Sequence, residues 1–392
     1  MSFKFKLLFS FAVVSLLILS FSKFTFDQVL DKDPQPEDST LTIIFAGDVM
    51  QHMSQVEAAW NDSLQTYVYD SCFKYVKPLV SSADIAIANL ETTLAGKPYS
   101  GYPQFCSPDQ LITGLLNTGF DYVGTANNHS CDKGKHGINR TIKVLDSLGM
   151  GHTGTFKDSL ERALKYPLII KRKGFKIALL NYTYGTNGIV PPKPTIVNMI
   201  DEQQIISDLK RAKDSMPDKI IVFIHWGLEY KIKPDAWQKW AADICFNNGA
   251  DYVIGSHPHV LERMERKLFP DSAGKETLLV YSLGNYVSAQ RDRNKDGGAM
   301  FRLTLKKKKN VVSLQNAGYI LTWVYLKQET DRKRFYIIPV SEYEKRDDLF
   351  DPSGYEKMKV FSKDSRDSLG KYNINVSEII YDSGSSKWQT VQ

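Results

Sequence analysis

The chain has little cysteine: four residues in 392, at Cys72, Cys106, Cys131 and Cys245. No two form a Cys-x-x-Cys pair, which argues against a structural zinc knuckle. Cys245 falls on the apolar face of a predicted helix and reads as packing. Cys131 follows His129 by two residues, but nothing except proximity pairs it with a base for nucleophilic work. A disulfide outside the cytoplasm stays open, with no partners that the sequence can pick. Charge of one sign is scarce too. The net charge is +6, and no basic stripe is interleaved with aromatics, so nucleic acid is not expected as a partner. The basic run Lys306–Lys309 lies between two strand-like stretches and reads as a solvated hairpin tip. Internal repeats are absent. What remains is ordinary globular composition, 42% hydrophobic and 24% charged, on a chain long enough for one large or two ordinary domains.

Long hydrophobic runs are also missing, with one exception. Lys4 and Lys6 precede an uncharged stretch from Leu7 to Ser22, followed by Lys23. It is short for a comfortable span and suits a signal h-region. No A-x-A cleavage site follows and no cysteine is placed for a lipoprotein anchor, so residues 1–23 read as an uncleaved or poorly cleaved signal-anchor. The positive flank favours a cytoplasmic N-terminus with the rest translocated, membrane-anchored and extracytoplasmic. Residues 24–40 are acidic, carry two prolines and read as a linker. A main domain is expected over 41–330. Residues 331–392 are expected as a partly helical extension with a loosely held end.

From Leu41 the chain alternates strands and helices. Thr42–Ala46, Ile85–Asn89, Tyr122–Thr125, Lys176–Tyr182, Lys219–His225, Tyr252–Gly255 and Thr277–Ser282 read as short strands buried on both faces. Between them, Gly137–Leu148 predicts a helix with Ile138, Ile142, Leu145 and Leu148 on one stripe, closed by Gly149. Asp201 with Gln204 opens a second. Pro234 opens a third as its first residue, with Trp237, Trp240, Ala241, Ile244 and Cys245 facing inward. Met300–Leu305, Val311–Leu314 and Gly318–Tyr325 predict antiparallel strands. A last helix is expected near Gly354–Ser368.

Five of the seven histidines lie within four residues of a Gly, Asn or Asp where a predicted strand runs out. The segments are I-I-F-A-G-D-V-M-Q-H (Asp48, His52), G-T-A-N-N-H (Asn128, His129), I-V-F-I-H-W-G (His225) and Y-V-I-G-S-H-P-H (His257, His259). A further segment, I-A-I-A-N-L-E, ends on Glu91. Ligand-type residues gathered at strand ends are how an open α/β sheet builds a site along its carboxyl edge. Imidazole, carboxylate and amide oxygen together suit one or two ions of zinc, manganese or iron rather than calcium. A metal pair lowers the pKa of a bound water and clamps an oxyanion-bearing substrate. His129, beside Asn128 and not itself a ligand, suits a general acid, and Asp132 three residues on is placed to orient it. His136 and His152 lack a partner motif.

With these residues in view, the chain resembles the CapA family of poly-γ-glutamate capsule biosynthesis proteins over about residues 41–290. The motifs are G-D-V-M (47–50), N-L-E (89–91), A-N-N-H-S-C-D-K-G (126–134), H-W-G-L-E-Y (225–230), G-S-H-P-H-V (255–260) and Y-S-L-G-N-Y-V (281–287). The resemblance implies a calcineurin-like metallophosphatase fold, a four-layer α/β/β/α sandwich with the site at strand C-terminal ends. It implies that Asp48 ligates one metal and Glu91 bridges. Asn128, His225 and His257 would hold the second metal, and His259 would return to the first. His129 would be the acid–base residue, with Glu229 and Asn285 shaping the pocket. The wider metallophosphatase pattern has a histidine two residues after the first Asp. Here that position is Met50, so the first metal would lack a ligand unless His52 swings in. The implied role is a metal-dependent hydrolase acting on an anionic surface polymer such as poly-γ-glutamate, or on a phosphoester. The alternative is a non-catalytic metal-binding subunit of a capsule synthesis or export complex.

Overall fold

A computed structural model describes residues 38–268, 276–329 and 332–391. The expected signal-anchor and the linker as far as Glu37 lie outside the described residues. Among the described residues no helix is long and apolar enough to cross a membrane.

The chain lays down one sheet, leaves it to build a second, and returns. First come β1 (Asp38–Val49), β2 (Ile85–Leu90), β3 (Tyr122–Gly124) and β4 (Gly151–Thr153), paired in parallel in that order. Helices α1 (Met53–Ala59), α2 (Gln110–Thr118) and α3 (Gly134–Leu148) lie between them in sequence. The second sheet is six-stranded: β5 (Leu168–Arg172), β6 (Phe175–Thr183), β7 (Lys219–His225), β8 (Tyr252–Ser256), β9 (Met264–Leu268) and β10 (Glu276–Val280), in the order β9-β10-β8-β7-β6-β5. Helices α4 (Glu202–Asp214) and α5 (Ala236–Asn247) connect its parallel strands. The chain then rejoins the first sheet with β11 (Asn285–Val287), β12 (Gly297–Lys308), β13 (Val311–Gln328), β14 (Lys333–Pro339), β15 (Ser377–Asp382) and β16 (Lys387–Thr390), and α6 (Pro352–Tyr372) lies between β14 and β15.

Side chains alternate across each strand, so every central strand serves two cores. Ile43 and Phe45 of β1 meet Ile221 and Phe223 of β7 between the sheets, with Phe45 and Phe223 edge to face at 5.6 Å. Ile44 and Ala46 point the other way, toward Leu111 and Leu115 of α2 and Leu145 of α3. Val222 and Ile224 face Leu209 of α4 and Ala241 of α5. This is the expected α/β/β/α sandwich. Each fully buried Ile, Leu or Phe contributes about 1.5–3 kcal/mol by leaving water, and the core that includes the inter-sheet layer is built mainly of such residues.

Several expectations about elements change. Trp237 and Trp240 were placed on the buried face of α5, but they are 38% and 40% exposed. The helix opens on Ala236, two residues later than Pro234 predicts. Asp235 is its N-cap, with Gln238 reaching back to complete a capping box, and this rotates the buried stripe onto Gln238, Ala241, Ala242 and Cys245. Leu148 is largely exposed. The two strands expected over 311–325 are one long strand. Residues 38–40, assigned to the linker, open β1. The segment after residue 330 is no appendage. Its β14 and β15 both pair with β13, and residues expected to be loose form β16 against β15. The lysine run does end at a hairpin tip, where Lys309 and Asn310 take positive φ.

Candidate metal centre

Parallel strands of both sheets end at one edge, and the histidine-bearing loops meet there. β1 ends on Gly47-Asp48. A Cβ at position 47 would lie 2.0 Å from the Gly284 carbonyl oxygen, so glycine is required for β11 to lie alongside. In that register Asp48 sits opposite Asn285, and its N–H donates to the Gly284 carbonyl at 3.1 Å. Glu91 follows β2, its N–H on the Val49 carbonyl at 3.1 Å. β7 ends on His225. After β8 the chain turns sharply, with His257 at φ 101° and His259 at φ 58°. Non-glycine residues pay for such backbone with strain, which is concentrated at functional sites.

The side chains converge. Two groupings bring potential ligand atoms within 4.8 Å of one another: Asp48, Glu91 and His225, and Glu91, His257 and His259. Glu91 belongs to both. All five residues are essentially excluded from solvent. His259 Nδ1 lies 3.1 Å from Asp48 Oδ2 and 3.1 Å from Asn285 Oδ1. His225 Nε2 lies 2.9 Å from Asn128 Oδ1. Glu91 Oε1 is 3.8 Å from both His225 Nε2 and His259 Nε2. Burial, then the adjacent Asp48 carboxylate, pushes the Glu91 carboxyl well above the usual range. Burial, then the neighbouring histidines, holds the His225 and His257 imidazoles well below theirs. Neutral imidazoles are the protonation state a divalent ion needs, and binding one would draw the proton from Glu91.

The residues present fit such an ion. Glu91 Oε1 and His257 Nδ1 are buried without a hydrogen-bond partner, and buried polar atoms are rarely left so. Both belong to the groupings above. The donor set of imidazole, carboxylate and amide oxygen is that of a transition-metal site.

Beside this stands a dyad. His129 Nδ1 is 2.7 Å from Asp132 Oδ2, and that oxygen also accepts the Phe105 N–H at 2.6 Å. The Phe105 ring packs edge-on against His129 at 4.5 Å. With Nδ1 committed to the carboxylate, Nε2 is the nitrogen left to exchange a proton with a ligand.

The remaining residues singled out in the sequence fall at different distances. Asn285 touches His259, its amide donating to the His259 carbonyl at 3.4 Å and to the Lys295 carbonyl at 2.7 Å. Glu229 is exposed at the rim and lies outside both groupings, though near enough to raise Tyr184 and Tyr230 to about 12 together with their burial. His52 does not join the groupings either. It is the N-cap of α1, its N–H donating to Gln55 Oε1 at 2.9 Å, and its ring stands 5.2 Å from Phe105. Three contributors had no role assigned from the sequence. The Asn89 amide lies 2.8 Å from Asp48 Oδ1, 3.4 Å from Glu91 Oε2 and 3.2 Å from His225 Nδ1. Asn127 donates to the Leu90 carbonyl at 2.8 Å and accepts the His129 N–H at 3.1 Å. Tyr184 packs against His257 with ring centroids 4.4 Å apart. The two asparagines stand inside motifs and their strand-end positions were the available signal. Tyr184 carried none.

An α/β/β/α sandwich with carboxylate–imidazole groupings at its strand ends fits a calcineurin-like metallophosphatase fold with a candidate metal site. Residues 42–290 match the family model described as bacterial capsule synthesis protein PGA_cap, and the chain belongs to that family. It is 27% identical over 271 residues to "Capsule biosynthesis protein CapA" of Bacillus anthracis, covering 65% of this chain and 61% of that protein, so less than two thirds of that relative is spanned. It is 29% identical over 292 residues to "PGA biosynthesis protein CapA" of Bacillus subtilis (strain 168), covering 69% of each. Among solved structures, the calcineurin-like phosphoesterase YfkN from Bacillus subtilis is similar at a TM-score of 0.42 and 12% identity, over 86% of this chain and 99% of that one.

Proposed function

We propose that this chain is a metal-dependent hydrolase, held outside the cytoplasm by its N-terminal segment, that acts on an anionic surface polymer or a phosphoester in capsule synthesis. The observation that carries the reading is Glu91. It is a fully buried carboxylate shared by two ligand groupings, with one oxygen free of hydrogen bonds, a short way along the edge from the His129–Asp132 pair. Asp48, Glu91, His225, His257, His259 and Asn128 would hold one or two ions of manganese, zinc or iron. When bound, such ions supply Lewis acidity and a water of lowered pKa. His129 then donates a proton to the leaving group, and Asp132 fixes the imidazole tautomer and orientation, a contribution of about 10²–10⁴-fold to rate. Asn285 and Asn89 keep His259, Asp48 and His225 in place. The two names in which "capsule" or "PGA biosynthesis" is printed support the polymer as substrate, and poly-γ-glutamate is the first to try.

The test measures metal content of the full chain beside a His257→Ala/His259→Ala variant, and hydrolysis of an activated phosphodiester and of poly-γ-glutamate. Expected are one to two ions in the parent, far fewer in the double variant, and activity that His129→Ala removes while metal is kept. Metal without hydrolysis of either substrate would assign the chain to the accessory role in a capsule complex. A fusion reporter placed after residue 37 and active in the cytoplasm would refute the topology.

A further inference from the structure

The loop after β6 was not singled out by any motif, yet it clasps the Asn128 side chain from the side opposite the metal groupings. Asn128 Oδ1 points to His225 Nε2. The other end of that amide is held by the loop: Nδ2 donates to Asn187 Oδ1 at 3.3 Å. The loop itself is fastened in place. The Tyr184 N–H donates to the His225 carbonyl at 2.9 Å. Thr186 Oγ1 donates to the Ile189 carbonyl at 2.6 Å, and Ile189 packs on the cluster containing Cys131 and Ala126. Asn187 adopts φ 49°, a left-handed conformation that asparagine tolerates better than most residues. Tyr184 also lies nearly parallel to the His225 ring, at 6.3 Å and 15°.

A primary amide has chemically distinct ends, and only its oxygen can serve a cation. An acceptor on the nitrogen end therefore decides which end faces the ligand groupings. We infer that Asn187 is a positioning residue that orients the Asn128 carbonyl oxygen toward a metal ion, with the Tyr184 ring backing His225 and His257. This deepens the proposed function and rests on it. Outer residues of this kind are worth about 10–100-fold in metal affinity.

The substitutions separate the hydrogen bond from the fold. Asn187→Gly removes the amide at a backbone conformation glycine adopts freely. Asn187→Asp keeps an acceptor facing Nδ2. Metal affinity is read by competition with a chromophoric chelator, and the donor set by the visible spectrum of the cobalt(II)-loaded full chain. Melting of the metal-free protein reports any purely structural effect. Expected is a drop of about 10–100-fold in affinity with an altered cobalt spectrum for Asn187→Gly. Asn187→Asp should hold near the parent, and the metal-free melting points should be alike. Parent-like affinity and spectrum in Asn187→Gly would overturn the inference and leave the metal centre standing. So would an Asn187→Asp variant as weak as Asn187→Gly. A parent that takes up no metal overturns both.

Discussion

Buried acids are treated in two ways in this molecule. Away from the strand-end site, each finds a cation or a good donor. Asp208 sits under Arg162 and also accepts the Tyr182 hydroxyl at 3.0 Å. Glu378 is bridged by Arg366, which also reaches Glu344. Asp296 accepts the Trp323 indole N–H at 2.8 Å. At the site, Asp48 and Glu91 are more deeply buried than any of these, and among the described residues no lysine or arginine pairs with either. Their neighbours are imidazoles and the Asn89 amide. A buried charge without a paired partner costs several kcal/mol, so a fold that needed these carboxylates only for stability would treat them as it treats Asp208. The difference teaches that the first set belongs to the scaffold and the second set is shaped for a cation from outside.

That contrast can be broken from either side, and the largest effect is expected at Glu91. Glu91→Gln should lower metal affinity by more than the 10–100-fold typical of residues that only touch a ligand, because both groupings share it. It should also stabilise the metal-free protein at neutral pH. The sign follows from the raised carboxyl. A carboxyl raised on folding keeps its full stability below the ordinary carboxylate range and loses it as pH rises toward the folded value. Parent and variant melting curves, both metal-free, should therefore converge in acid and separate toward neutrality. Equal melting points at pH 7 would contradict the contrast.

On the scaffold side the signs reverse. Arg162→Ala should cost about 3 kcal/mol by leaving Asp208 buried and uncompensated, with metal uptake unchanged, as checked by denaturant unfolding and elemental analysis. Glu262 lies between the two sets. It is buried, accepts from Gln238 Nε2 at 2.7 Å, and burial raises it to about 8. Its contribution is intact below pH 4.5, the ordinary value, and is lost as pH rises through about 8. Glu262→Gln should remove that dependence, so the variant gains steadily on the parent between pH 5 and pH 9; a pH-independent difference would show that Glu262 does not titrate there. The smallest effect is expected at Arg366→Ala. The guanidinium is about one-third exposed, solvent screens the pair, and a loss of about 1 kcal/mol is expected; a loss as large as that of Arg162→Ala would erase the distinction between exposed and buried pairs.

Much of the site could be read along the chain because buried parallel strands leave a simple trace. A strand covered on both faces is an apolar run, and a ligand-type residue just past it must sit at the sheet edge. Asp48, Glu91, Asn128, His225, His257 and His259 all announce themselves in this way. Helix α5 shows where local reading failed. The pattern of Trp237 and Trp240 with Ala241 and Cys245 is consistent with helix, but the buried side was decided by the cap at Asp235 and by what lay beneath. His52 failed for a similar reason: being four residues from Asp48 made it a candidate ligand, and its use as the N-cap of α1 turned it toward Gln55.

The sequence by itself determined the strand tracts, the alternation with helices, the edge that carries the ligands and the family to which the chain belongs. Each of these is a local pattern or a motif. The tertiary structure decided that the segment after residue 330 completes the first sheet, that Asn89 lies among Asp48, Glu91 and His225, and that Asn187 closes on Asn128 from a loop more than fifty residues away. Those facts depend on pairings between distant parts of the chain, whose partners are chosen by packing and register. No short-range pattern records them.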